Sequence, residues 1–313
     1  MHPSRPDSDA LVWYTLHYML IALNQRLVIS GVEYFNDQAA INPFMDASVP
    51  IDLAAAAAEH VRVRQAYESA GITVYQVPPP TSCQDGVYTA NWGLERDNTV
   101  VLARLPNARK AEEAYAAEVL RAFGKTIIYV PGDLHFSGQG DALPCGEYVF
   151  CGQGYRSDAA AQAFMAERLG YNRIQLQTVP LLDSNGRPVI NSHSGWPDSF
   201  FYDLDLALAI LRPPVGDQKG LIAWCPDAFV PASQFLLHNL DAVEKIAVSL
   251  QEAKGAYACN LVSTGETVIM NQGAPELQAA IEAHGLRTIT LNNPELAKGG
   301  GSIRCVSMCI SNS

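Results

Sequence analysis

A repeated pattern constrains this chain more than any single motif: a helical segment runs into a glycine, and a short β-branched strand follows. Ile51 to Ala70 is alanine-rich, has Pro50 near its start and Gly71 past its end, and leads into Ile72-Thr73-Val74-Tyr75. Ala111 to Phe123 ends at Gly124 before Thr126 to Val130. Asp158 to Leu169 ends at Gly170 before Ile174-Gln175-Leu176, and Pro275 to His284 ends at Gly285 before Thr288 to Leu291. Proline suits a helix's first turn, where its missing N–H costs nothing, and glycine accepts the left-handed residue just past the last turn. Pro231 to Ala253 reads as a longer helical segment holding one more copy. Such repeats, carrying different loops, are β-α-β units and give an α/β class. A series of them can close on itself around a polar channel, which the sequence leaves open.

At 313 residues and 48% hydrophobic, the chain can bury a large core. Its 21 Lys and Arg against 32 Asp and Glu give a net charge of −11. That excludes a nucleic-acid or anionic-membrane surface, since both need clustered positive charge, and favours a cationic or zwitterionic small substrate. The seven cysteines form no CxxC pair and no Cys/His spacing suited to zinc, so reduced thiols in a cytoplasm are expected and no metal is. The apolar run Ala10 to Leu23 is too short to span a bilayer and carries His17. It reads as a helix on the body or at a subunit interface, making a homodimer one expectation. The expected organisation is an N-terminal helical extension over 1–26 and a single domain over 27–313.

Four stretches place polar residues where strands or tight turns belong: Asp85 to Gly93, His135 to Asp141, Tyr202 to Leu208, and Gly299 to Met308. In the last, three glycines deliver Cys305, and cysteine is the strongest single-residue nucleophile near neutral pH if its surroundings favour the thiolate. A buried, inert cysteine after a glycine-rich turn explains the loop alone equally well. In the third, period-two alternation puts Asp203 and Asp205 on one strand face and Leu204, Leu206 and Leu208 on the other. Paired carboxylates raise one another's pKa unless a cation neutralises them, and a guanidinium matches them with its planar fork of donors. A solvated strand face is the alternative. In the second, His135 and Ser137 share a face ahead of the turn Gly138-Gln139-Gly140.

Taken in order, these motifs carry a family resemblance. Tyr88-Thr89-Ala90-Asn91 resembles the FTAN or FTRD motif of the arginine deiminase, amidinotransferase and dimethylarginine dimethylaminohydrolase superfamily, the guanidino-group-modifying penteins. Ser137-Gly138-Gln139-Gly140-Asp141 resembles its E-G-x-G-D motif, Asp203-Leu204-Asp205 its H-L-D motif, and Gly299 to Cys305 its G-G-G-x-x-R-C loop. Asn42-Pro43-Phe44-Met45, Arg109 with Glu112-Glu113, and Tyr155-Arg156-Ser157-Asp158 are further marks. The resemblance runs from about Leu27 to Ile310 and implies a pentein: a five-bladed, pseudo-symmetric α/β propeller of ββαβ-type repeats with its site on the axis.

It further implies a cysteine-dependent hydrolase acting on a guanidino, amidino or ureido C–N bond through a covalent thiouronium intermediate, without a cofactor. Cys305 would be the nucleophile, and Asp205 and Asn91 would hold the substrate's amino groups, with Asp141, Asp85, Gly300 and Gly301 nearby. Arg109 and Arg156 would bind a substrate carboxylate. Asn91, where deiminases carry aspartate, resembles the branch with arginine dihydrolase-like enzymes. Two positions depart from the pattern: Asp203 replaces the family's catalytic histidine and Ser137 its glutamate. Three explanations stand at this stage: Asp203 acts as the acid/base with its pKa raised by Asp205, His135 supplies the imidazole from a new position, or the chain is a non-catalytic binding protein. Amidino transfer is a further alternative.

Overall fold

The computed structural model describes residues 22–312; the N-terminal helix expected before residue 22 lies outside the described residues. Fifteen strands form five three-stranded sheets. They are β1 (Arg26–Ser30) with β2 (Thr73–Val77); β3 (Gly93–Arg96), β4 (Thr99–Leu102) and β5 (Thr126–Tyr129); β6 (Ala142–Cys145), β7 (Tyr148–Gln153) and β8 (Asn172–Gln177). Then follow β9 (Leu208–Arg212), β10 (Gly220–Trp224) and β11 (Val243–Ala247), and β12 (Val262–Ser263), β13 (Thr267–Asn271) and β14 (Arg287–Leu291). The first sheet is completed by β15 (Met308–Cys309), which returns from the far end of the chain to pair antiparallel with β1, Leu27 opposite Cys309 and Val28 opposite Met308. In every sheet the central strand is antiparallel to one neighbour and parallel to the other. A parallel pair needs a long crossover, and a helix supplies it each time.

The first crossover helix, α1 (Leu53–Ser69), begins at Asp52, whose carboxylate accepts from the N–H of Ala54 and Ala55, and buries Ala56, Val63, Ala66 and Tyr67. The other crossovers are α2 (Ala111–Ala122), α3 (Ala159–Leu169), α4 (Pro231–His238) and α6 (Pro275–Ala283), while the short α5 (Leu250–Gly255) follows β11. Gly71, Gly124, Gly170 and Gly285 take φ of 86°, 76°, 70° and 80°, the left-handed turn that the punctuation predicts. One expected helix is corrected: Pro231 to Ala253 is α4, then β11, then α5. Apolar residues there fit a helical stripe and a buried strand equally well, and Asn239 and Asp241 mark the break. Sheet centres are dry, with every residue of β10 and β13 buried. Among the described residues no helix is long and apolar enough to cross a membrane, and no cluster of three His, Cys, Asp or Glu could hold a metal.

The polar stretches sit on the turns leading into the antiparallel edge strand of four of the sheets. Thr89–Trp92 precedes β3, Gly138–Gly140 precedes β6, Leu204–Leu206 precedes β9, and the turn over 303–306 precedes β15. The strand expected through Asp203 and Asp205 is therefore a single tight turn, and β9 starts only at Leu208. Alternating apolar and acidic residues mimicked a strand because Leu204 and Leu206 are both buried in a turn enclosed on all sides.

Candidate active site

These turns surround a narrow cavity, walled by Asn42, Asp85, Tyr88, Asn91, Arg109, Ser137, Arg156, Tyr202, Asp203, Gly301 and Cys305 among others. Cys305 reaches it through a loop built on glycine. Gly300 has φ of 92°, and a Cβ there would come within 2.5 Å of the Asn42 amide, whose Nδ2 donates to Gly299 O at 3.0 Å. A Cβ on Gly301 would lie 2.9 Å from Cys305 Sγ. Side chains are excluded here by space as well as by backbone conformation.

The Asp203 carboxylate accepts from Ser137 Oγ through one oxygen and from Asn91 Nδ2 through the other, both at 2.8 Å. Asn91 is in turn fixed by Arg109, whose Nη1 donates to its Oδ1 at 2.6 Å. Arg109 is already engaged. It pairs through Nε and Nη2 with both oxygens of buried Glu112 and donates to the carbonyls of Asp85 and Tyr88. It holds the wall together rather than offering a free fork to a carboxylate. Arg156 differs: it donates to Ile41 O, and its guanidinium lies 5.0 Å from the centre of the Tyr202 ring.

Electrostatics separates the four buried aspartates of these turns. Burial pushes Asp141 and Asp205 well above the usual carboxylate range, in each case reinforced by Asp203. Burial also raises Asp203, but Arg156 and the hydrogen bonds from Asn91 and Ser137 pull it back toward ionisation. Asp85, hydrogen-bonded by Gln84 Nε2 at 2.9 Å, is pushed up to about 6 by burial against the pull of Arg109. Cys305 is raised well above the ordinary thiol value by burial and by Asp205 and Asp203, and its Sγ lies 3.4 Å from Asp205 Oδ2.

Asp141 and Asp205 are not cavity walls. Asp141 accepts from Ser157 Oγ and from Leu204 N, fixing the 203–205 turn from beneath. Asp205 approaches the sulfur from behind, and its Oδ1 is buried with no partner. The structure does not bring His135 to the cavity: it lies on no strand, its side chain is 40% exposed, and its Nδ1 pairs with Asp158 at 3.2 Å. Only the intervening Phe136 forms a β-bridge, so His135 turns outward against Trp196 while Ser137 turns in. The sequence reading missed Tyr88, Tyr202 and Asn42 in the walls and Asn260 behind Cys305. Asn260 could have been found as the polar residue of the fifth turn, just before β12.

A ring of five ββαβ units with a cysteine, buried aspartates and arginines at its axis defines a pentein of the guanidino-modifying kind. No protein-family model matches the chain. The N(G),N(G)-dimethylarginine dimethylaminohydrolase of Mycobacterium tuberculosis is 31% identical over 287 residues, covering 91% of this chain and 85% of that protein. The bifunctional arginine dihydrolase/ornithine cyclodeaminase AgrE of Nostoc sp. is 27% identical over 290 residues, and the match spans 91% of this chain but 38% of AgrE. The N-terminal domain of the cyanobacterial arginine dihydrolase ArgZ, solved with substrate bound, shares the fold at a TM-score of 0.79 and 24% identity, covering 92% of this chain and 98% of that one. The chain belongs to the arginine deiminase and dimethylarginine dimethylaminohydrolase superfamily of penteins.

Proposed function

We propose that this protein hydrolyses a guanidino C–N bond of an arginine-derived compound through a covalent intermediate on Cys305. The carrying observation is that Cys305 faces a cavity shared with Asp203 and Asp85. A cationic guanidinium entering between these carboxylates replaces lost water with charge-assisted hydrogen bonds. Its positive charge also lowers the cost of ionising the sulfur, which burial, Asp205 and Asp203 hold as a thiol. The unpartnered Oδ1 of Asp205 is a candidate acceptor for a substrate N–H, and Arg156 a candidate donor to a substrate carboxylate.

Cys305 gives its proton to the Asp203 carboxylate as its sulfur attacks the guanidinium carbon, forming the S–C bond. The tetrahedral adduct expels an amine or ammonia, which leaves with a proton from Asp203, and a thiouronium remains. Asp203, now a carboxylate, takes a proton from water as that water attacks the same carbon. The second adduct releases the sulfur and leaves a ureido product. Asp203 thus does the work that histidine does in the family's motif, with Ser137 and Asn91 fixing it.

Incubation with a haloacetamidine and with arginine and N-substituted arginines tests this. Expected are a mass adduct on Cys305 and release of ammonia, amine or urea. A panel giving neither would sink the hydrolase reading. The suppressed ionisation of the thiol favours one second reading, a cation-binding protein. It predicts ligand binding by calorimetry with no product.

A further inference from the structure

Behind the cavity, Asn260 grips the nucleophile. It is fully buried in the turn before β12 and is not a cavity wall. Its Oδ1 accepts from three backbone donors of the cysteine loop, the N–H of Ser302 at 3.0 Å, Arg304 at 3.1 Å and Cys305 at 3.3 Å. Its Nδ2 donates to Cys305 Sγ at 3.1 Å. One carboxamide therefore shapes a turn that has no strand pairing until Met308 and also aims a donor at the sulfur. Aspartate could supply the acceptor but not the donor.

The donor matters because of what else faces Cys305. Asp205 from the turn before β9 touches it, and Asp203 lies in the same turn. Both oppose a negative sulfur, while from the cationic side Arg304, the residue before Cys305, acts on Asp205, and Arg156 and Arg109 act on Asp203. Tyr67, Tyr88, Tyr202 and Tyr257 surround the group as neutral phenols. Among the described residues, Asn260 supplies the one side-chain N–H hydrogen-bonded to the sulfur. It also occupies the fifth of the pseudo-symmetric turns, the other four holding Asn91, Asp141, Asp205 and Cys305 or their flanks.

We propose that Asn260 is the positioning residue of the nucleophile: its carbonyl oxygen sets the Ser302–Cys305 turn and its N–H stabilises the thiolate against Asp205. The inference rests on the reading of Cys305 as nucleophile. The test is the pH dependence of Cys305 alkylation by iodoacetamide in wild type and Asn260→Ser, with melting temperature measured alongside. A hydrogen bond to a charged group predicts a midpoint raised by about one pH unit and kcat lowered on the order of tenfold, with KM little changed. A lowered melting temperature with an unmoved midpoint would overturn the proposal and leave Asn260 as a loop strut only. If Asn260→Ser does not fold, Asn260→Asp keeps the acceptor and removes the donor, and a wild-type midpoint in that variant overturns the proposal as well. Should wild-type Cys305 resist alkylation at every pH, the hydrolase reading fails at its nucleophile. The role of Asn260 is then read from the difference in thiolate ultraviolet absorbance between each protein and its Cys305→Ser counterpart.

Discussion

At the scale of single residues, the site turns on which acid holds its proton. Asp203→Asn keeps the hydrogen-bonding shape but cannot exchange a proton, so turnover should fall by about 10²–10⁴-fold, the usual worth of a general acid or base. Adduct formation on Cys305 should survive better than turnover, and mass spectrometry beside a product assay separates the two. His135→Ala should leave both near wild type, since His135 faces Asp158 and Trp196 outside the cavity. Asp85 makes a pH prediction. Its folded pKa of about 6 lies above the ordinary 3.8, so between those values the folded state binds more protons than the unfolded chain. Its contribution to stability therefore declines as pH rises from about 4 to about 6 and is flat above. Relative to Asp85→Asn, wild type should lose on the order of 2–3 kcal/mol across that window in denaturant melts. The same ionisation strengthens the hold on a cation, so KM should fall as pH rises through about 6.

At the scale of elements, the turns matter more than the strands they feed. Gly300→Ala forces a side chain into a φ of 92° and into the Asn42 amide. The backbone penalty alone is about 1–2 kcal/mol, so a lower melting temperature and slower labelling of Cys305 are expected together. Helix boundaries were legible in the sequence because only glycine takes the left-handed turn cheaply, and Gly71, Gly124, Gly170 and Gly285 each sit at such a turn. Asp203 and Asp205 misread as a strand face for a physical reason: in a fully enclosed turn, burial no longer alternates with the side of the chain. The partners of Asn260 are mainly backbone N–H groups more than forty residues away, so only its place in the fifth repeated turn pointed to it in the sequence. Cys305, Asn91 and Asp203 were visible through motif order, whereas the engagement of Arg109 with Glu112 needed the fold.

At the scale of the whole molecule, a short seam closes the ring. Two short pairings join β15 to β1, and buried Lys125 reinforces them by donating to Ile310 O while pairing with Glu95. Glu95 Oε2 also accepts from Asn312 N, so one ion pair fastens the returning segment to the second sheet. Removing one partner of a buried pair leaves the other charge stranded, and Lys125→Met should cost about 3–5 kcal/mol. Hydrogen exchange should show the loss first in β15 and β1. Unfolding that stays uniform across all five sheets would contradict the seam.

Cys305 stands three residues before the strand that makes this closure. A chain whose ring has sprung open loses the scaffold of the proposed nucleophile at the same moment, so on the hydrolase reading a partly unfolded copy is inactive. On that reading the sulfur is presented in working form only while the ring is closed.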